Sequence, residues 1–182
     1  MDKADGKARG RPRSDAARRA ILDAAYDLVV KHGYAIVTTE AIAARAGAGK
    51  QTIYRWWPSK ADLVLDALED WAEDKINVSE TESLATFLRK VCDGATRAGP
   101  VLRSLMAEAQ FDAALRVKLK ARLIEPRREA LRRCLAHAGV AARQREGLVF
   151  AIYGAVWYRL FMDEPLDAAF IRRMTALAQP PE

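Results

Sequence analysis

The stretch from Thr38 to Lys60, TTEAIAARAGAGKQTIYRWWPSK, is the part of this chain that most restricts its fold. Thr38 or Thr39 is a good N-cap, because a side-chain oxygen there accepts from the unpaired amides of a helix's first turn. Ile42, Ala43 and Ala46 follow at the spacing that gives a helix one apolar stripe. Gly47 comes next, where a C-terminal residue with positive φ is wanted. A second helix then starts near Gly49-Lys50 and must end before Pro58, since proline disfavours α geometry in the residue ahead of it. Two short helices around a glycine turn are the pattern of a helix-turn-helix.

Within the second helix, Ile53 and Trp57 lie four apart and can face inward together. Lys50 with Tyr54, and Gln51 with Arg55, form adjacent polar rows on the outward side. Lys, Gln, Thr, Tyr and Arg reach base edges or phosphate oxygens from a helix lying in a major groove. An ordinary solvated helix would carry the same polarity, so the pattern alone leaves that alternative open.

The longer segment Arg19 to Leu68 closely resembles the N-terminal DNA-binding domain of the TetR family of bacterial transcriptional regulators. The resemblance lies in the helix Ala20 to His32 with Gly33-Tyr34, the Thr38-Thr39 start, Ile42-Ala43, Gly47, Thr52-Ile53-Tyr54, and Pro58-Ser59-Lys60 before Asp62-Leu63. It implies that Thr38, Thr39, Tyr54 and Lys60 hold phosphates, and that Lys50, Gln51, Thr52 and Arg55 face the bases. The chain departs from the family pattern twice. Gly49 stands where many relatives cap the recognition helix with Ser, and Trp56-Trp57 replaces a common His-Phe pair. Trp57 is expected in the core, with Trp56 against a phosphate or a thymine methyl.

Charge is distributed unevenly. Residues 1 to 60 carry five Lys and seven Arg against six acidic residues, whereas the remaining 122 carry 18 basic and 18 acidic residues. The whole net charge of +6 therefore sits with the helix-turn-helix, as expected of a nucleic-acid-binding module joined to a neutral second domain. Residues 1 to 13 lack apolar periodicity and are expected to be disordered in isolation. Within them Arg9-Gly10-Arg11-Pro12-Arg13 resembles an AT-hook core, an extended strip whose arginines, Arg11 and Arg13 among them, could enter a narrow A·T minor groove. A generic basic tail attracting phosphates is the alternative.

Everything else reads as helix, giving an all-α chain. Three parts are expected: a basic arm (1–13), a helix-turn-helix domain (14–60) of three helices, and a larger helical regulatory and dimerisation domain (61–182). Ser14 is expected to cap the first helix, which presents Ile21, Leu22, Ala25, Leu28 and Val29. His32 and His137, each near a helix end, are expected to interact with free carbonyls. Ser59 with Asp62, and Ser79 with Glu82, are capping pairs for the next helices; the first of these would link the two domains. Pro100 suits a helix start, and Pro126 should kink or split the segment Ala113 to Ala138 near Glu125. Arg127, Arg128, Arg132 and Arg133 could form a second basic patch, but Glu125 and Glu129 among them favour a solvated face.

Arg143 to Phe161, about 28 Å of helix, is more apolar than one core stripe requires. With the last helix it suggests a dimer surface of Ile152, Val156, Trp157, Leu160, Phe170 and Met174, an intrachain core being the alternative. The run Tyr158-Arg159-Leu160-Phe161…Pro165-Leu166-Asp167 resembles the end of a TetR-family C-terminal domain, which implies a four-helix bundle formed with a second subunit. The same resemblance implies a pocket for an unknown small effector. Trp71, Phe87, Leu105, Met106, Phe111, Phe150 and Tyr153 are candidates, each with core packing as the competing role.

Taken with what the resemblance implies, these features lead to the expectation of a homodimeric, ligand-responsive repressor that binds a palindromic operator in double-stranded DNA and is released by a small hydrophobic effector. An architectural binder of A·T-rich DNA without a switch is the rival. An enzyme is not expected: paired carboxylates with a nearby His, a Ser/His/Asp order and a phosphate-cradling glycine loop are all missing. Cys92 and Cys134 are isolated in helical patterns, so neither a disulfide framework nor a metal site is expected, and no cofactor is called for. The first twenty residues lack an apolar core and the run Gly147 to Tyr158 is too short to span a bilayer, so a cytoplasmic protein without a membrane partner is expected.

Overall fold

A computed structural model describes residues 11–75, 79 and 81–178, with the side chains of 11–14 and 73–75 left aside. Among the described residues all regular structure is helical. The helices are α1 (Arg11–His32), α2 (Thr39–Ala46), α3 (Lys50–Trp56), α4 (Lys60–Lys75), α5 (Leu84–Arg97), α6 (Gly99–Glu108), α7 (Ala113–Leu119), α8 (Glu125–His137), α9 (Ala142–Phe161) and α10 (Ala168–Ala176). The chain divides into two compact units after Asp70, within α4.

In the first unit α1 contributes Ile21, Leu22, Ala25 and Val29 to a core completed by Val37, Ile42, Ala43, Ile53 and Trp57. Full burial of one such aliphatic side chain stabilises by roughly 1.5–3 kcal/mol relative to leaving it in water. Helix α1 begins at Arg11 and not behind a Ser14 cap. Pro12 explains the earlier start: in a first turn its missing N–H has no intrahelical partner to lose. Arg11 to Arg13 thus belong to α1, while residues 1 to 10 of the expected arm lie outside the described residues.

In the second unit α5 supplies Leu84, Phe87, Leu88 and Cys92 to one buried cluster, α8 supplies Leu131, Cys134 and Leu135, and α9 supplies Val149, Ile152 and Val156. Phe170 and Ile171 of α10 close it. Ser79 N–H does bond to the Glu82 carboxylate, but the helix starts later, at Leu84, because Ser83 is the cap whose Oγ accepts from Thr86 N–H at 3.2 Å. Pro126 does not split the segment, whose backbone stays helical from Leu119 through Glu125. It lies in the first turn of α8, directly behind a π-helical turn at Lys120–Ile124. Proline cannot donate to the carbonyl four residues back and its ring crowds that oxygen, so the preceding turn widens.

The arginine-rich face of α8 is paired. Arg128 and Arg132 each reach Glu146 at 2.8 Å, and Arg132 and Arg133 both contact Glu129. Arg132 holds the Glu146 carboxyl below its ordinary pKa. The balance of charges on this face is what a solvated surface needs.

Candidate nucleic-acid interface

Helices α2 and α3 are held at their turn by backbone geometry. Thr38 is the N-cap of α2, with its Oγ1 accepting from Ala41 N–H at 3.2 Å. Gly47 ends the helix at φ 62°, a left-handed conformation that costs glycine little, and its N–H returns to Ala44 O at 3.3 Å. Gly49 caps α3 in extended conformation and offers no side-chain acceptor. The far end of α3 is secured differently. Trp57, only 3% exposed, donates its indole N–H to Asp66 Oδ2 of α4 at 2.7 Å. Arg18 of α1 reaches the same oxygen at 3.4 Å, and its guanidinium lies 5.9 Å from the indole centroid.

With Ile53 and Trp57 buried, Lys50, Gln51, Tyr54 and Arg55 are exposed, and Thr52 and Trp56 are half-buried. The structure thus brings the expected reading residues onto one outward side of α3. Thr39 and Tyr54 are brought together across the turn, Oγ1 to OH at 3.1 Å. Trp56 lies at the end of this surface, edge-on to Trp57 and beneath the Arg55 guanidinium at 5.6 Å. Lys60 is used internally. Its ammonium donates to the carbonyls of Tyr34 at 2.8 Å and Val37 at 3.0 Å and sits 4.0 Å from the Tyr34 ring centroid, bracing the loop that leads into α2.

Two partners escaped the sequence reading. Glu40 forms an ion pair with Lys50, and Asp66 accepts from Trp57. Neither pair follows a helical repeat. The one available hint for Asp66 was the indole itself, a donor that must find an acceptor when buried.

Two family models match this chain. Residues 21–67 match the one described as bacterial regulatory proteins, tetR family, and residues 79–178 match the tetracyclin repressor-like C-terminal domain. The chain belongs to the TetR family. This TetR-family chain is 35% identical over 178 residues to YdeS of Bacillus subtilis (strain 168), described as an uncharacterized HTH-type transcriptional regulator, covering 88% of this chain and 87% of that one. It is 29% identical over 178 residues to the DNA-binding transcriptional repressor TetR of Mycobacteroides abscessus, with 92% of each chain covered. Among solved structures, the TetR family transcription regulator SCO0332 superimposes with a TM-score of 0.72 at 32% identity, over 91% of this chain and 99% of that one. The protein is accordingly a DNA-binding transcriptional regulator with an all-α fold and an N-terminal helix-turn-helix. Among the described residues no helix is long and apolar enough to cross a membrane.

The pocket residues expected in the TetR-family C-terminal domain differ in their burial. Phe87 and Leu105 are buried in the packing of the chain, whereas Trp71, Met106 and Tyr153 are half-buried. The Tyr153 hydroxyl donates to Arg127 O at 3.1 Å, and burial raises its pKa. Phe111 and Phe150 do not belong to an interior set: they are 93% and 73% exposed. Phe111 sits in the turn after α6, and Phe150 lies on α9 opposite Val149, Ile152 and Val156. The dimer set is corrected likewise. Ile152, Val156, Leu160 and Phe170 are buried within the chain itself, and Met174 packs against the same core. Beyond its polar first turns, α9 leaves outward Gly147, Phe150, Ala151, Gly154, Tyr158 and Phe161, with Trp157 beside them stacked on Phe161 at 5.9 Å.

Proposed function

We propose that this regulator is a homodimeric repressor that binds a roughly palindromic operator and is released by a small, largely hydrophobic effector. The observation that carries the reading is the outward face of α3, where Lys50, Gln51 and Arg55 stand exposed above the buried Ile53 and Trp57. In this reading Lys50, Gln51, Thr52 and Arg55 face base edges, with Trp56 at the margin, and Thr38, Thr39 and Tyr54 lie along the phosphates. Arg11 and Arg13 would extend the electrostatic contact, and Lys60 contributes by bracing the Tyr34 to Val37 loop.

The homodimer rests on the outward stripe of α9. Phe150, Tyr158 and Phe161 are exposed large apolar side chains, and a Cβ built on Gly147 or Gly154 would meet nothing within 4 Å. Aromatic knobs beside bare backbone suit close antiparallel contact with a second copy of the same helix, in which each subunit presents the same patch. Two-fold symmetry then presents two α3 helices to successive half-sites, hence the palindrome. Effector control is supported by the tetracyclin repressor-like match, and repression by the repressor among the relatives. The half-buried Trp71, Met106 and Tyr153 are the remaining pocket candidates. An effector works if it binds a conformer other than the DNA-bound one more tightly.

Selection of fragmented genomic DNA by the purified protein at near-physiological salt tests this. Enrichment of one or a few palindromes supports a dimeric operator-specific regulator. Broad A·T-rich enrichment without a palindrome would replace it with an architectural binder.

A further inference from the structure

Glu40 is the single acidic residue in α2, α3 and the turn between them, a stretch that otherwise carries Arg45, Lys50 and Arg55. A carboxylate in such a place weakens attraction to DNA unless it has a task. Its oxygens are both engaged: Oε1 pairs with the Lys50 ammonium, and Oε2 accepts from Thr39 Oγ1–H at 3.4 Å. With the Thr39 hydrogen directed to Glu40, the Tyr54 hydroxyl is the donor to Thr39 Oγ1 at 3.1 Å. Lys50 in turn lies 5.6 Å from the Tyr54 ring centroid. Glu40, Lys50, Tyr54 and Thr39 thus form a closed ring that joins the start of α2 to the start of α3. Arg45, by contrast, pairs away from this ring with Asp27 of α1 at 2.9 Å.

We propose that Glu40 is a specificity-determining residue that withholds Lys50 from the phosphates of arbitrary DNA. The proposal rests on the reading that α3 faces DNA. A passing phosphate offers Lys50 one more anionic oxygen and must displace a carboxylate already fixed by Thr39. Lys50 therefore stays with Glu40 and contributes no counterion release on most sequences. Where base acceptors such as guanine O6 and N7 converge on the ammonium, Lys50 leaves the ring and adds its contact. The effect is to remove one cation per head from sequence-independent binding while keeping it for a fitting site.

The test uses the full chain as wild type, Glu40→Gln, Lys50→Gln and the double variant. Each binds a labelled duplex of random sequence, followed by fluorescence anisotropy between about 50 and 200 mM salt. Both side chains are about half-exposed, 58% for Glu40 and 49% for Lys50, and helical circular dichroism checks that all four are folded. Glu40→Gln should tighten binding by roughly two- to fivefold near 0.15 M salt and steepen the slope of log affinity against log salt by about 1 per bound head. Lys50→Gln should keep the wild-type slope, and the Glu40→Gln gain should vanish in the Lys50→Gln background. A shallower slope for Lys50→Gln alone would show Lys50 already on phosphates and overturn the proposal. A gain that persists without Lys50 would also overturn it, since Glu40 would then act by plain repulsion. Unaltered affinity in Glu40→Gln is a third contrary result. If none of the four showed salt-dependent binding, the DNA-facing reading of α3 would itself fail, which separates that error from the others.

Discussion

Replacing Trp57 by Phe should destabilise the first unit through one identifiable hydrogen bond. Trp57 is 3% exposed, and its indole N–H reaches Asp66 Oδ2 at 2.7 Å. A hydrogen bond to a charged group contributes about 1.5–3 kcal/mol. The smaller ring also gives up part of the buried indole surface, about 1 kcal/mol at the usual area coefficient. Asp66 is not stranded, because it is 22% exposed and keeps Arg18 at 3.4 Å, so the lower half of the combined range applies. A cost of about 2.5–3 kcal/mol is expected. Urea unfolding of the full chain followed by tryptophan-independent circular dichroism measures it. Changing Asp66 to Asn first should reduce the cost of Trp57→Phe by about 1 kcal/mol, because only a neutral bond is then lost. A cost below about 1 kcal/mol, or an equal cost in both backgrounds, would refute the argument that the Trp57–Asp66 bond secures the end of α3.

Three further outcomes follow from the geometry. Tyr158→Arg and Phe150→Glu place charge on the exposed stripe of α9 without touching the chain's own core, so both should yield folded monomers by sedimentation; persistent dimers would move the interface elsewhere. Asp167 accepts from Phe170 N–H at 2.8 Å as the cap of α10, which holds its carboxyl below the ordinary value. Its contribution is therefore complete above the unfolded Asp value of about 3.9 and lost as pH falls through the lower folded value, so the stability gap between wild type and Asp167→Ala should close in acid; a gap independent of pH would contradict this. Burial pushes the Cys92 thiol up to about 12 and raises that of Cys134, so at pH 8 a thiol reagent should label neither until denaturant is added.

The helix-turn-helix was legible because its signals are local. An N-cap at Thr38, a positive-φ glycine at Gly47 and a helix-ending Pro58 each act within a few residues. Pro126 belongs with them, since its effect falls on the adjoining turn. Interactions across elements were not legible. Glu40 and Lys50 lie ten residues apart around a turn, and Asp66 finds Trp57 from another helix. The orientation of α9 failed for a different reason. Apolar residues occur on every side of it, so periodicity could not decide whether Ile152 and Val156 or Phe150 and Tyr158 faced the core. Phe111 misled because aromatic character suggests burial, whereas its turn leaves it in water.

Base reading by the outward face of α3 is the property on which the proposed function depends. Affinities of wild type, Gln51→Ala and Arg55→Ala for every single-base variant of the selected operator test it most directly. Each substitution should flatten the preference at one symmetric pair of positions, by about 1–3 kcal/mol per position, and leave the other positions unchanged. Uniform weakening across all sequences, with base preference intact, would contradict it.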